Sequence, residues 1–434
     1  HGAQPQAERI NRLAAERGER FLARYGGKTS SEWLFAKALE ILEAAPAIYD
    51  RAERLIDAGD WLVWQLTGRE ARSACQAGYK ALWSRTEGYP SREFLAALHP
   101  RLATIVEEKL ATEIYPVGAR AGELTPAAAA RLGLRPGIPV GVAIIDAHAA
   151  VPAAGIAEPG KMLLILGTSG CHLLLGREER SFPGLCGVVQ DGILPGFFGY
   201  EAGQPATGDL LAWQTRAAVP PEYHDEAARR GVSIYRVLEE RAAALRPGEC
   251  GLLALDWWNG NRSILMDADL AGVLIGLTLE TRAEEIYRAL IEATAFGTRA
   301  IVENFERHGC PVQELYACGG IAEKNPLLMQ IYADVLGRPI HRVRSGQACA
   351  VGAAILGAVA AGSAGGGYDR LLDAAAAMGG VEAGGFSPDP AAHDRYTALY
   401  GEWLRLHDYF GRGENPVLKR LRAWRAGRRP EEGS

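Results

Sequence analysis

The chain has no paired-cysteine motif, no excess of positive charge and no long apolar run, and each absence removes a class of protein. Its seven cysteines, at 75, 171, 186, 250, 310, 318 and 349, show no Cys-x-x-Cys spacing and are odd in number. That pattern disfavours a zinc knuckle and a disulfide framework and fits a reducing cytoplasm. With 47 basic against 52 acidic residues the net charge is −5, so nothing electrostatic draws the chain to nucleic acid or to an anionic membrane. The locally basic end, 419–429, reads as a solvated helix face. The longest uncharged run, 345–368, is mostly Ala and Gly. Its continuously apolar part is too short to span a bilayer, and a closely packed core helix is expected there. An initiator Met is also lacking: the chain opens at His1 inside polar, helical sequence with no strand before it. An N-terminal portion is therefore expected to be missing.

What is present suits a globular enzyme of two domains, since 434 residues exceed one core of usual size. The most informative stretch is ELYACGGIAEKNPLLMQIYADVLG, 314–337. Leu315 to Cys318 read as a buried strand, and Gly319-Gly320 removes two side chains where the backbone must turn. Asn325 is a good N-cap, Pro326 suits the first helical position, and Leu327, Leu328, Ile331 and Leu336 form an apolar face that Gly337 ends. A strand–glycine–helix unit puts helix N–H groups beside the glycines, which favours phosphates or an adenosine edge. A tight turn without ligand is the alternative.

Elsewhere a capping box at 29–32 predicts a helix carrying Trp33, Leu34, Ala38, Ile41 and Leu42. A second helix follows Pro46, and WLVWQLTG (61–68) reads as a third, with Trp61 and Trp64 in the core. The stretch 73–84, SACQAGYKALWS, reads as irregular, and Lys80 taken alone reads as solvated. The apolar run before Asp146 predicts a fully buried strand ending at that residue. A carboxylate at the end of such a strand sits where ligands bind in α/β layouts; a cap for the following segment is the equal alternative. His148, two residues on, reads as packed. The run GIAEPGKM (155–162) misses a P-loop, because Met162 replaces the hydroxyl residue and a strand follows where a helix is required. Instead 161–175 predicts a β-hairpin with GTSG at its tip, either a plain turn or a cradle for phosphates. Glu201, among Gly and aromatic residues, is expected to be half-buried and in need of a donor. Gly208 opens a helix, a long helix runs from Glu284 to a stop at Gly309, RPIHRV (338–343) reads as a strand, 362–385 as a Gly/Ala-rich loop, and 389–411 as an amphipathic helix. Alternating β and α units indicate an α/β fold.

The acidic strand end, the GTS hairpin, EAGQxxxGD and GGIxxKN before a helix, in that order, resemble the FGGY carbohydrate kinases. Within them the chain is similar to the ketopentose kinases through SSEW (30–33), DWLVWQLTG (60–68), AGYKALW (77–83), DAH (146–148), LGTSGC (166–171), GYEAGQPATGDLLAW (199–213), LDWWNGNR (255–262), ATAFGTRAI (293–301), GGIAEKN (319–325) and LHDYFGRG (406–413). The match runs from end to end. It implies two actin-like, ribonuclease-H-like α/β domains with an interdomain cleft, the first incomplete at its N-terminus: 1–156 as the remainder of the sugar-binding domain, 157–412 as the ATP-binding domain, and 413–434 as a basic tail. Closure of the domains would exclude water from the reaction.

The resemblance implies phosphorylation of a ketopentose, with L-ribulose favoured, by ATP with Mg²⁺. Asp146 matches the family's catalytic base, and Lys80 and Glu201 match residues that contact the sugar. Gly167 and Thr168 match the phosphate-binding hairpin, and Gly208, Gly320 and Asn325 the nucleotide pocket; Ser169 and Gly319 join them by adjacency. The metal ligands stay unassigned. The partner is a small-molecule sugar, with no nucleic acid and no membrane, and a homodimer is the assembly to test. One departure matters: the family's Asp-x-Gly-Thr/Ser motif, which helps position Mg²⁺ and phosphates, is absent from the sequence. This segment alone is therefore expected to have little kinase activity. Another sugar kinase of the same family and a non-catalytic nucleotide-binding chain are the alternatives.

Overall fold

The computed structural model describes residues 2–110, 113–425 and 427. They divide into two compact units. One holds the described residues of His1–Lys161, Leu173–Glu201 and Val343–Val381; the other holds those of Met162–His172, Ala202–Arg342 and Glu382–Ser434.

In the first unit the helices Gln4–Arg17 and Leu34–Ala44 bury Ala7, Ile10 and Ala14 against Phe35, Ala38, Leu39 and Leu42, a core that also takes in Tyr25 and Phe94. The spacing of these residues is that of one helical face. The expected capping box does not form. The N–H and hydroxyl of Thr29 both donate to Asn11 Oδ1, at 2.7 and 2.8 Å, and the helix begins only at Leu34. The helix Ala58–Thr67 is terminated by Gly68 at φ +68°, as its sequence predicts. It buries Asp60 and Val63, however, so Trp61 lies on the opposite face and is 49% exposed rather than in the core.

The run before Asp146 also differs from expectation. Only Pro139–Gly141 forms a strand, half-buried and antiparallel to Arg120–Glu123. Because this is a two-stranded ribbon, one side of the strand has no paired neighbour among the described residues, and the ladder stops early. Asp146 then opens the helix Asp146–Ala153, which packs on Ala348–Ala361. At their crossing a Cβ on Gly352 would lie 1.6 Å from the Ala149 carbonyl oxygen, so only glycine permits the approach. Inside 362–385, expected to be loop, Leu371–Met378 is helical, with Leu371, Ala374 and Ala375 buried at helical spacing. The Gly380 N–H donates to Ala153 O at 2.9 Å, tying that region to the end of the Asp146 helix.

In the second unit Glu314–Cys318 pairs in parallel with Ile340–Arg342, Leu315 opposite Ile340. Between them, as expected, runs the helix Pro326–Leu336, with Asn325 Oδ1 accepting from Leu328 N–H at 2.8 Å and Gly337 closing it at φ +62°. Beside Glu314–Cys318 in the sheet lies Lys161–Leu166, which but for Lys161 belongs to this unit. The helix Ala283–Arg307 is buried along most of its length. Inside it, Arg288 donates to Glu292 and to the Tyr396 hydroxyl, both at 2.8 Å. No helix among the described residues is long and apolar enough to cross a membrane.

Candidate active site

In the first unit, 73–84 is not irregular. Ser73 accepts the Cys75 N–H at 3.1 Å and starts the helix Ala74–Lys80. Ser73 N–H in turn donates to Asp60 Oδ1 at 3.2 Å, so the cap hangs on a buried carboxylate. Burial pushes Asp60 up to about 7, and the neighbouring charge of Asp57 adds to this. The helix lies close to the strand Gly187–Gln190, since a Cβ on Gly78 would meet Val189 Cγ1 at 2.2 Å and one on Gly187 would meet the Tyr79 ring at 2.8 Å. Tyr79 is held by its hydroxyl, which donates to Gly199 O at 2.6 Å. Lys80 is the last residue of the helix and is half-buried. Its charge opposes the burial that raises the Asp57 carboxyl.

A different helix of this unit, Asp146–Ala153, carries the acid at its first position. Asp146 is exposed, with Oδ1 accepting the Ala147 N–H at 2.8 Å. Its charge reaches the half-buried Cys349, whose thiol is pushed up by burial first and by Asp146 second. His148 faces inward and is fully buried. Its Nδ1 lies 3.1 Å from Cys75 Sγ and its Nε2 3.0 Å from Glu201 Oε2, with the Tyr79 ring centroid 4.3 Å away. Glu201 is buried, 5% exposed, rather than half-buried, and a donor does meet it. Lys80, Asp146 and Glu201 therefore fall in one unit, and Glu201 meets a histidine that sequence reading left as packing. The one clue to it was the short step from Asp146 to His148.

In the second unit the other group of predicted residues meets. The hairpin Lys161–Leu166 and Gly170–Gly176 forms as expected, and Gly167 N–H donates to Ser169 O at 3.1 Å across its tip. Thr168 and Ser169 are exposed. The helix Gly208–Ala217 has no side-chain cap. Instead the hairpin tip caps it: Gly208 N–H donates to Gly167 O at 2.9 Å, and Thr207 and Asp209 N–H donate to Thr168 O at 3.0 and 3.2 Å. Gly319, at φ +99°, turns directly over the same hairpin, where a Cβ would stand 2.4 Å from Leu166 O. A Cβ on Gly208 would meet Gly167 O at 2.8 Å and Ile321 Cδ1 at 3.0 Å. Three backbones are thus brought together by the lack of side chains, and beside them Gly320 is exposed, with nothing within 4 Å of an added Cβ. Asn325 differs in kind. Its amide donates to the Tyr287 hydroxyl at 2.9 Å while its oxygen caps the helix, so its side chain is committed to the fold.

Beneath the tip runs a buried polar network that the sequence did not reveal. Gln204 donates to Asp256 at 2.8 Å and to Thr294 O at 2.9 Å, and accepts from Thr298 at 2.8 Å. His172 Nε2 lies 3.2 Å from Gln204 Oε1. Burial pushes His172 down to about 4, so it is neutral at pH 7, and pushes Asp256 up to about 6. Among the described residues no group of three or more His, Cys, Asp or Glu side chains is placed to hold a metal.

Lys80, Asp146 and Glu201 lie in one unit, and a glycine-built turn over a hairpin lies in the other. The C-terminal domain model of the FGGY family of carbohydrate kinases matches residues 162–361. The ribulokinase of Geobacillus thermodenitrificans is 55% identical over 98% of this chain and 75% of its own length, and that of Anoxybacillus flavithermus is 56% identical over the same shares. The crystal structure of xylulose kinase from Rhodospirillum rubrum covers 95% of this chain and 78% of its own, with a TM-score of 0.78 and 27% identity. The chain belongs to the FGGY family of carbohydrate kinases, and with that goes the use of ATP as phosphoryl donor.

Proposed function

We propose that the chain phosphorylates a ketopentose, L-ribulose before others, to its 5-phosphate, with Asp146 as general base and Mg²⁺-ATP as donor. The observation that carries this reading is the placement of exposed Asp146 two residues from buried His148, which grips Glu201. The helix that bears the proton acceptor thereby also holds the substrate acceptor, through His148.

In the reaction Asp146 takes the proton of the terminal hydroxyl as that oxygen bonds to the γ-phosphorus, and the bond to the bridging oxygen of ADP breaks. Lys80 donates to sugar oxygens and Glu201 accepts from sugar hydroxyls. A sugar of the wrong configuration leaves one of these groups unpaired and is rejected. Gly167, Thr168, Ser169, Gly208, Gly319 and Gly320 leave room for a triphosphate to approach backbone, and Asn325 holds the turn that presents Gly320. No cluster of the described residues is placed to hold Mg²⁺; bound with the nucleotide, it would supply charge stabilisation at the phosphoryl group. The ribulokinase relatives support ribulose over xylulose as the acceptor.

The test is coupled ADP release with ATP, Mg²⁺ and a panel of L- and D-ribulose, L- and D-xylulose and glycerol. It is run on the chain and on its reading frame extended upstream, because the relatives are longer. Ribulose-dependent turnover is expected. Turnover that prefers xylulose or glycerol would move the substrate assignment, and nucleotide binding with no sugar-dependent turnover in either form would leave Asp146 without its role.

A further inference from the structure

His148 makes two contacts that packing alone does not require. Its ring is fully buried between a sulfur and a carboxylate, 3.1 Å from Cys75 Sγ and 3.0 Å from Glu201 Oε2. The sulfur is itself an acceptor, taking the backbone N–H of Ile145 at 3.4 Å, the residue next to Asp146. A carboxylate accepts, so His148 Nε2 carries the hydrogen toward Glu201, and in the tautomer with a bare Nδ1 the ring takes the thiol hydrogen of Cys75. Burial, aided by the charge of Glu201, pushes the Cys75 thiol up, so it keeps that hydrogen.

We propose that His148 is a positioning residue for the sugar site. It locks Glu201 as an oriented acceptor through a one-way chain from Ile145 N–H to the Cys75 thiol, to the imidazole, to the carboxylate. The inference rests on the reading of Glu201 as a sugar contact. It goes further in naming what fixes that contact, and in linking it to the backbone that sets down Asp146. Removing the imidazole takes away one anchor of the Glu201 side chain, and ketopentose discrimination falls before nucleotide binding does.

The experiment uses whichever form of the protein turns over ketopentose. His148→Leu is expected to raise KM for the preferred ketopentose roughly ten- to a hundred-fold, the worth of a hydrogen bond to a charged group, with KM for ATP unchanged. His148→Gln, whose amide can reach the Nε2 position, recovers most of the loss. In unmutated protein carrying ¹⁵N-histidine, the His148 signals should report a protonated Nε2 and a bare Nδ1. A His148→Leu protein that melts earlier yet keeps its sugar KM and selectivity would reduce the residue to packing and overturn the proposal, as would an Nδ1-protonated tautomer. If the Leu variant does not fold, the tautomer and the Gln variant decide in the same way. Glu201→Ala separates the two layers. An unchanged sugar KM there removes the sugar role of Glu201 itself, whereas a raised KM beside an unaffected His148→Leu removes only the relay.

Discussion

The two groups of predicted residues, one in each unit, are built from opposite materials. In the first unit the predicted residues are held by side chains, Cys75 to His148 to Glu201, with Asp60 beneath the Ser73 cap. In the second they are held by the lack of them, where Gly208 and Gly319 let three stretches of backbone touch. The ligands proposed for each group account for the contrast. A sugar is told from its epimers by where its hydroxyls point, which takes oriented donors and acceptors. Phosphate groups present many equivalent oxygens and are well served by close backbone. Substitution in the first group should therefore alter which substrate is taken and how fast it reacts, and in the second whether nucleotide and fold are kept.

Three substitutions test that division and a fourth tests the buried carboxylate beneath the first group, beginning with the largest expected effect. Asp146→Asn should lower kcat by about a thousand-fold, in the range for a lost general base, with ATP affinity unchanged by calorimetry; retained kcat would remove the base. Gly319→Ala forces a side chain onto Leu166 O at a positive φ, and thermal melting should show a loss of about 2–3 kcal/mol together with weakened ATP binding. A stable variant with normal ATP affinity would show that the turn has slack. Asp60→Asn addresses stability and pH. The folded carboxyl sits at about 7, above its ordinary 3.8, so its contribution is full below about pH 4 and is lost as pH rises through 7. Denaturant titrations across that window should show a flatter profile for the variant, which gains on the order of a few kcal/mol over the unmutated protein above pH 7. An unchanged slope would place the titration elsewhere. Gly320→Ala has the smallest effect, since its Cβ meets nothing within 4 Å. The melting temperature should hold while KM for ATP rises, by no more than about ten-fold if one contact is obstructed. A fall in stability without a KM change would reverse its assignment from binding to fold.

Elements with local signals were legible in the sequence. The helix Pro326–Leu336 carries its own cap, its own proline and its own stop within a dozen residues, and the hairpin around GTSG needs only neighbouring positions. The helix Ala74–Lys80 was hidden although Ser73 is an ordinary N-cap, because seven residues rich in small side chains and buried nearly all round show no amphipathic period. The run before Asp146 misled for the opposite reason: its apolar residues serve helix contacts and a two-stranded ribbon rather than a buried central strand. Glu201 could be seen to want a donor, but not which one. His148 lies 53 positions away and its other partner, Cys75, 73 away, and no periodicity encodes a pairing at that distance. The capping of the Gly208 helix by the GTSG tip was hidden likewise, since backbone groups supply both sides of the bond.

The contact of Gly352 with Ala149 has a consequence for genetics. The helix bearing the proposed base is seated against a neighbouring backbone with no side chain in between, so the smallest change at that codon acts like a wedge beneath the reacting group without touching it. Alanine there should yield a conditional allele, able to support growth on the sugar in the cold and failing in the warm. A screen for temperature-sensitive growth should return to position 352 more readily than to residues that meet substrate, whose loss would show at every temperature.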